Sequence, residues 1–392
     1  MRVLHCFDKY LNSTMNWAYH AIRHTPGVQP LIAAPLIVHN QYFDAAFEYL
    51  HSRWQWQRPY DEWSFSTLQR VVARVLRDRY WTSVFNKLEQ LRPPIVHAHF
   101  ASVGCAVMEQ ASQKGLPLIT SFYGADYERL PHIRPEFKKR YRRLFELASL
   151  LVCEGEHGAS ILASMGCPES KIRVVRLGIS PKTIPFLHRE KLPGQLRLLQ
   201  AATMVEKKGF MSTLEAFRLA LPTCPHLHLT LAGEQVDKKL AHAMRRYIAV
   251  HALDKHITWL DFIDNRQFHA FLGNFDAFIH PSCYASDRDC EGGAPIVLLD
   301  AQATGLPVIA TSHCDIPSEV VHEQTGLLTP ERDIEGLAAS IVRFYQMNDP
   351  DFQQYSRRAR LHVEQFYDVR KTGAHLLQLY HEAQNLPKNG KH

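Results

Sequence analysis

The sequence lacks any apolar run approaching the roughly 20 residues that would cross a bilayer. Arg2 leads into a short strand-like stretch, not into the apolar core of a signal peptide. The expectation is a cytoplasmic protein that touches the inner face of a membrane at most. Its eight cysteines, at 6, 105, 153, 167, 224, 283, 290 and 314, contain no CxxC pair and no zinc spacing. Several lie in apolar runs, where a reduced thiol serves as a small core residue. The 23 histidines are scattered and include no HExxH, so no metal site is expected. Neither half opens with GxGxxG after its first strand, which argues against a dinucleotide-binding oxidoreductase. A net charge of +6 is modest for 392 residues, so local patches matter more than the total.

What is present is globular. With 46% hydrophobic and 21% charged residues over 392 positions, the chain exceeds one core and two domains are expected. It is organised around Cys290-Glu291-Gly292-Gly293-Ala294-Pro295 and the apolar run that follows. Two glycines after a carboxylate let the backbone turn tightly and bring its N–H groups close to a ligand. Pro295 suits the first turn of a helix, a short buried one that stops at Gly305, with a core strand over 306–310. A helix N-terminus favours anions. Here Glu291 and Asp300 flank it, so the fitting ligand carries hydroxyls as well as phosphates, as a nucleotide sugar does. The plainer reading is a strand–turn–helix with a solvated Glu and a surface Asp.

Read in order, a strand at 3–6, a polar loop, a helix at 15–23 and a strand at 31–34 announce a parallel doubly wound sheet. Such sheets bind ligands at the carboxyl ends of their strands, which marks Asn12, Ser13 and Thr14 in the first loop. Residues 40–91 read as mostly helix; Trp54, Trp56, Trp63 and Trp81 are taken as packing, and Arg70, Arg74, Arg77 and Arg79 share the segment. The strand at 94–100 ends in His97, read as structural, and His99, open to either role. The strand from 118 ends in a glycine turn that should expose Tyr123 and Asp126 at the cleft. Residues 137–143 form the densest basic run, either a solvated helix face or one drawn to anionic lipid at about 1 kcal/mol per basic side chain. No nucleic-acid recognition motif accompanies it. Residues 180–194, with three prolines and many charges, read as an interdomain linker. A second strand–helix alternation then runs from 197 through Val205-Glu206-Lys207-Lys208-Gly209-Phe210 to the 276–282 strand, so a cleft between two α/β halves is implied. The end, 350–383, is helical with Leu376, Leu377, Leu379 and Tyr380 as its apolar face, and the tail from 386 is polar and frayed.

The ordered set VEKKGF, IHPS, EGGAPIVLLDAQATGLPVIAT, DIPSEV and TGLL between Val205 and Leu328 resembles the retaining glycosyltransferases of family 4. IVHAHFA, TSFYGAD and GCPESKIRVVRLGI in the first half fit the same pattern. The resemblance implies an α/β GT-B fold: two Rossmann-like doubly wound domains facing across a cleft. The acceptor domain is expected at 1–185, the donor domain at 195–365, and a helix at 366–386 returning to the first. It further implies transfer of a hexose, with retention and without metal or cofactor, from a UDP- or GDP-sugar to a glycan or lipid-linked acceptor. Cell-surface polysaccharide synthesis, of exopolysaccharide or lipopolysaccharide, would be the setting. By the resemblance, Glu291 bonds hexose hydroxyls, Asp300 the ribose hydroxyls, and Lys208 neutralises the diphosphate. Gly292, Gly293, Ala294, Pro295 and Ile296 line the phosphate and sugar pocket, while Asp126 and His99 are acceptor-side candidates for catalysis. Three positions depart from the pattern: Thr203 replaces an arginine of the donor pocket, Asp300 replaces a glutamate one residue nearer, and Tyr123 replaces the histidine of a His-Gly pair. The rivals are a GT-B nucleotide-sugar epimerase and a GT-B subunit that binds without turnover.

Overall fold

The computed structural model describes residues 1–11, 15–38, 47–55, 67–91, 94–192, 194–293 and 295–386. Asn12, Ser13, Thr14, Trp56, Trp63, Ala294 and the tail from 387 lie outside the described residues, as do the side chains of Arg70 and Arg74.

Short runs rich in Leu, Ile and Val become strands, most of them buried on both faces as parallel sheets require. In the first half these are β1 (Arg2–Cys6), β2 (Lys9–Tyr10), β3 (Gln29–Ala33), β4 (Leu36–Ile37), β5 (Glu48–Tyr49), β6 (Ile95–His99), β7 (Leu118–Ser121), β8 (Leu150–Cys153) and β9 (Ile172–Val174). In the second they are β10 (Leu196–Ala201), β11 (Leu227–Ala232), β12 (Ile257–Leu260), β13 (Ala277–His280), β14 (Val308–Thr311) and β15 (Gly326–Thr329). Seven strands form a parallel sheet in the order β5-β3-β1-β6-β7-β8-β9, and six form another in the order β12-β11-β10-β13-β14-β15. β2 and β4 pair separately. Strand order reverses beside β1 in one sheet and beside β10 in the other, which opens a crevice at the carboxyl ends of β1 and β6 and of β10 and β13.

The chain forms two compact units, one of residues 1–177 with 369–392 and one of 178–368. The last helix, Val369–Asn385, belongs to the first: Leu376, Leu379, Tyr380 and Ala383 pack with Val3, Ile95, Ile119 and Leu150. Trp81 is buried in the main core of this unit, Trp54 packs against that core, and Arg79 lies 4.9 Å over the Trp54 ring. Residues 180–194 are not a free linker. The Arg189 guanidinium is buried and donates to the carbonyls of Leu187, Leu272, Phe275 and Thr304, so the charge that suggested solvent is satisfied by main-chain oxygens of the second unit. Among the described residues no helix is long and apolar enough to cross a membrane.

Candidate active site

The crevice beside β10 is built from two loops. After β10 the chain passes through the short turn Glu206–Lys208 to Gly209, at φ +68°. A Cβ on Gly209 would sit 1.9 Å from the Pro281 carbonyl oxygen, so only glycine allows the loop to meet the segment leaving β13. Gln200 Nε2 donates to the Lys208 carbonyl at 2.7 Å, and the Cys283 N–H donates to that of Lys207 at 2.9 Å. The backbone beneath Lys208 is therefore fixed at both ends.

Lys208 and Glu291 meet in this crevice. The ammonium lies 2.9 and 2.8 Å from the two carboxylate oxygens of Glu291, and Ser282 Oγ donates to Oε1 at 2.7 Å. Both side chains are largely buried, at 16% and 6% exposure, so each needs the other's charge. Burial alone would push the Glu291 carboxyl up, but Lys208, Lys207 and His280 outweigh it and hold it well below the usual carboxylate range. Burial pulls the Lys208 ammonium down from its ordinary value, against the attraction of Glu291. Lys207 turns the other way, to Asp289 at 3.2 Å and the Cys290 carbonyl at 2.8 Å, and secures the approach to the glycine turn.

The turn itself is held from behind. The Glu291 N–H donates to His313 Nε2 at 3.2 Å, so the imidazole carries its proton on Nδ1 and donates it to Glu331 at 2.6 Å. Glu331 also accepts the Tyr284 N–H at 3.0 Å. Gly292 has φ +81°, and the Gly293 carbonyl accepts the Asp315 N–H at 3.1 Å. The helix that follows is Ile296–Ala303, with Pro295 as its N-cap and not, as expected, in its first turn. The Ile296 side chain packs against a cluster containing Ile179, Leu299 and Tyr367, which leaves its main chain as the part able to face a ligand. Asp300, on this helix, bonds His269 Nε2 at 3.0 Å. Thr203 is half-buried in the Lys208 loop, where its carbonyl accepts the Val205 N–H.

The first-unit candidates lie at the carboxyl ends of β6 and β7. Asp126 was expected at the cleft surface, but it is buried. Its Oδ2 accepts the N–H groups of Ala101 and Tyr123 at 3.0 and 3.1 Å, since the turn Gly124–Asp126 folds the carboxylate back onto the start of the helix Ala101–Gln113. Burial pushes its pKa up to about 7, against those two bonds. His99 is buried as well, between His5 at 3.1 Å and the Tyr123 hydroxyl at 3.0 Å, and His97 bonds Tyr380 and Ser121 at 2.9 and 2.8 Å. His5, His97 and His99 bring ligand atoms within 4.8 Å of one another. Every ring nitrogen except His5 Nε2 already has a protein partner, so a metal would have to displace these bonds. The basic run lies on the helix Glu136–Leu147: Phe137 and Tyr141 face the core, Arg143 pairs with Glu109 and Glu146, and Lys138, Lys139 and Arg142 are exposed.

Comparison with known proteins places this geometry in a family. Residues 187–362 match the model for glycosyl transferases group 1, and 72–183 that for glycosyltransferase family 4. The putative colanic acid biosynthesis glycosyltransferase WcaL of Salmonella typhimurium is 32% identical over 290 residues, which is 72% of this chain and 69% of the relative. The chain belongs to the group 1 glycosyl transferases. Another relative of this glycosyltransferase, the amylovoran biosynthesis glycosyltransferase AmsK of Erwinia amylovora, is 34% identical over 268 residues, covering 68% of this chain and 64% of the relative's length. The fold is GT-B. A glycosyltransferase from Rickettsia africae superposes with a TM-score of 0.75 at 15% identity, over 98% of this chain and 99% of that one. HepE of Anabaena, solved with UDP and glucose, superposes at 0.70 with 14% identity over 97% and 100%.

The sequence named Lys208, Glu291 and the glycine turn of this glycosyltransferase as one group, and the structure places Lys208 and Glu291 in contact, but the reading missed what holds them. His269, His280, Ser282 and His313 touch the candidate residues or their backbone, Lys207 holds the Cys290 carbonyl beside Glu291, and Glu331 holds His313. The IHPS motif and the doubled lysine were the only signals for any of them.

Proposed function

We propose that this glycosyltransferase moves a hexose from a UDP- or GDP-sugar to a glycan or lipid-linked acceptor, with retention at the anomeric carbon, in exopolysaccharide assembly. The observation that carries the reading is the buried Lys208–Glu291 pair at the carboxyl end of β10, where an ammonium and an acceptor of hydroxyl hydrogen bonds stand side by side. The names of the relatives WcaL and AmsK support the setting.

In the proposed step the bond from the anomeric carbon to the β-phosphate oxygen breaks and the acceptor oxygen bonds to that carbon on the same face. The acceptor proton passes to the departing phosphate. Negative charge grows on the diphosphate, and Lys208 with the N-terminus of the helix Ile296–Ala303 stabilises it, a division of labour that calls for no metal ion. Glu291 accepts from hexose hydroxyls and Asp300 from the ribose. The acceptor is read as meeting the enzyme near lipid, with Lys138, Lys139 and Arg142 offered to anionic headgroups.

The test is a thermal-shift screen of nucleoside diphosphates followed by NMR of the product's anomeric configuration, with and without EDTA. Ligand at a hundred times its Kd should add about 2.7 kcal/mol. Stabilisation by UDP or GDP that is lost in Lys208→Ala supports the reading. An inverted product, or conversion of the donor sugar with no acceptor present, rejects it.

A further inference from the structure

His280 ends β13 and is fully buried, and it is the one histidine among the described residues with both ring nitrogens buried and without a hydrogen-bond partner. A buried polar group left in this state costs stability, because it has given up water and gained no partner. An aliphatic residue at that strand position would carry no such cost. The ring is aimed at the site: its Nε2 stops 3.6 Å from Glu291 Oε1, just beyond hydrogen-bond reach, while Lys208 and Ser282 hold the same carboxylate. Burial and the Lys208 ammonium keep the imidazole below its ordinary value despite Glu291, so it is neutral with one N–H to give.

We propose that His280 is a positioning residue that takes hold of Glu291 when Lys208 turns to the donor diphosphate. This rests on the assignment of Lys208 to that diphosphate. A diphosphate offers the ammonium more negative charge than one carboxylate does. Glu291 then loses two charge-assisted bonds in a buried pocket, and among the described residues Ser282 is the side chain that still bonds it. The Nε2–H of His280 needs to close by less than about 1 Å to reach hydrogen-bond distance. It replaces one lost bond at Oε1 and leaves Oε2 directed to the hexose. Glu291 stays ionised and oriented, and no proton changes hands.

The experiment is calorimetric titration of the full chain with UDP, UDP-glucose, GDP and GDP-mannose, using the pair that binds. His280→Phe keeps a planar ring and removes both nitrogens. His280→Gln places an amide N–H near Nε2, and His280→Asn places one near Nδ1. Either ligand draws Lys208 from Glu291, so the nucleotide alone serves as the reference and the sugar nucleotide adds the contact that an oriented Glu291 makes with the hexose. Affinity for the sugar nucleotide relative to the nucleotide should fall about tenfold in His280→Phe and His280→Asn and stay within about threefold in His280→Gln. An unchanged ratio in His280→Phe overturns the inference and leaves the donor site standing. Lys208→Ala binding the nucleotide as tightly as wild type, or no binding of any of the four ligands, overturns the donor reading and this inference together. Should His280→Phe fail to fold, the Gln and Asn variants decide, and equal loss in both rejects the proposal.

Discussion

Lys208 and Glu291 are 83 residues apart in sequence and share a buried ion pair at 2.8 Å. Removing one partner strands the other charge in a pocket it cannot leave. Lys208→Ala should therefore cost about 3–5 kcal/mol of stability, whereas Lys208→Met combined with Glu291→Leu should return most of that loss. Urea unfolding of the single and double variants measures the difference. Both should lack transferase activity, so stability and function separate in the double variant.

Asp300 should read the ribose best while His269 holds it. Asp300→Ala is expected to weaken nucleoside diphosphate binding roughly tenfold and to abolish the preference for UDP or GDP over the 2′-deoxy form, since a hydrogen bond to a charged group is worth about 1.5–3 kcal/mol. His269→Ala should show the same effect at reduced size. Competition between ribo- and deoxyribonucleoside diphosphates, with nucleotide sugar as the displaced ligand, gives the answer. Equal preference in wild type and Asp300→Ala would remove Asp300 from the site.

The histidine cluster of the first unit should make it acid-labile. Burial pushes His5, His97 and His99 below their ordinary value, His97 to about 3, and the neighbouring rings add to this for His5 and His99. The unfolded chain takes up these protons near pH 6.5 and the folded unit does not. Stability is thus full above that pH and falls as pH drops from 6.5 towards 3, by up to about 1.4 kcal/mol per pH unit for each histidine. Asp126, pushed up to about 7, has the opposite sign: the folded unit binds its proton first, which offsets one histidine between about pH 4 and 7. Denaturation midpoints measured from pH 7.5 to 5 should fall, and fall faster in Asp126→Asn.

Gly209 and Gly115 form a matched pair of substitutions. Both have positive φ, +68° and +61°, but alanine at Gly209 meets the Pro281 carbonyl at 1.9 Å while alanine at Gly115 meets nothing within 4 Å. Gly115→Ala should cost about 1 kcal/mol and leave nucleotide binding intact. Gly209→Ala should cost on the order of 2–4 kcal/mol and weaken binding as well, because the loop carrying Lys208 must move. Thermal unfolding with and without nucleotide separates the two.

The architecture was legible because its strands are short apolar runs spaced by helices, a local pattern that needs no knowledge of the far chain. The glycine turn and Lys208 were legible through motif order. His313 and Glu331 were not: each is an ordinary polar residue, and their meeting at 2.6 Å depends on how β14 and β15 set the loops that follow them. Asp126 misled because a carboxylate after a strand-end glycine usually faces solvent, whereas here a single tight turn sends it to backbone N–H groups. Residues 180–194 misled in the same way, since prolines and charges look solvated until Arg189 finds four carbonyls.

The strand bridge at the edge of the second unit has a use beyond packing. Ile179 and Asp368 lie side by side as an isolated parallel bridge, with the Ile179 N–H donating to the Tyr367 carbonyl at 2.9 Å, so the entry and exit of residues 178–368 are stapled to each other. That makes the segment a cassette with a common seam: two cuts at one place lift it out whole, and a homologous cassette can be grafted in without either free end having to search for its anchor. Chimeras joined at 178 and 368 would show by ligand binding whether the exchanged segment brings its own preference with it.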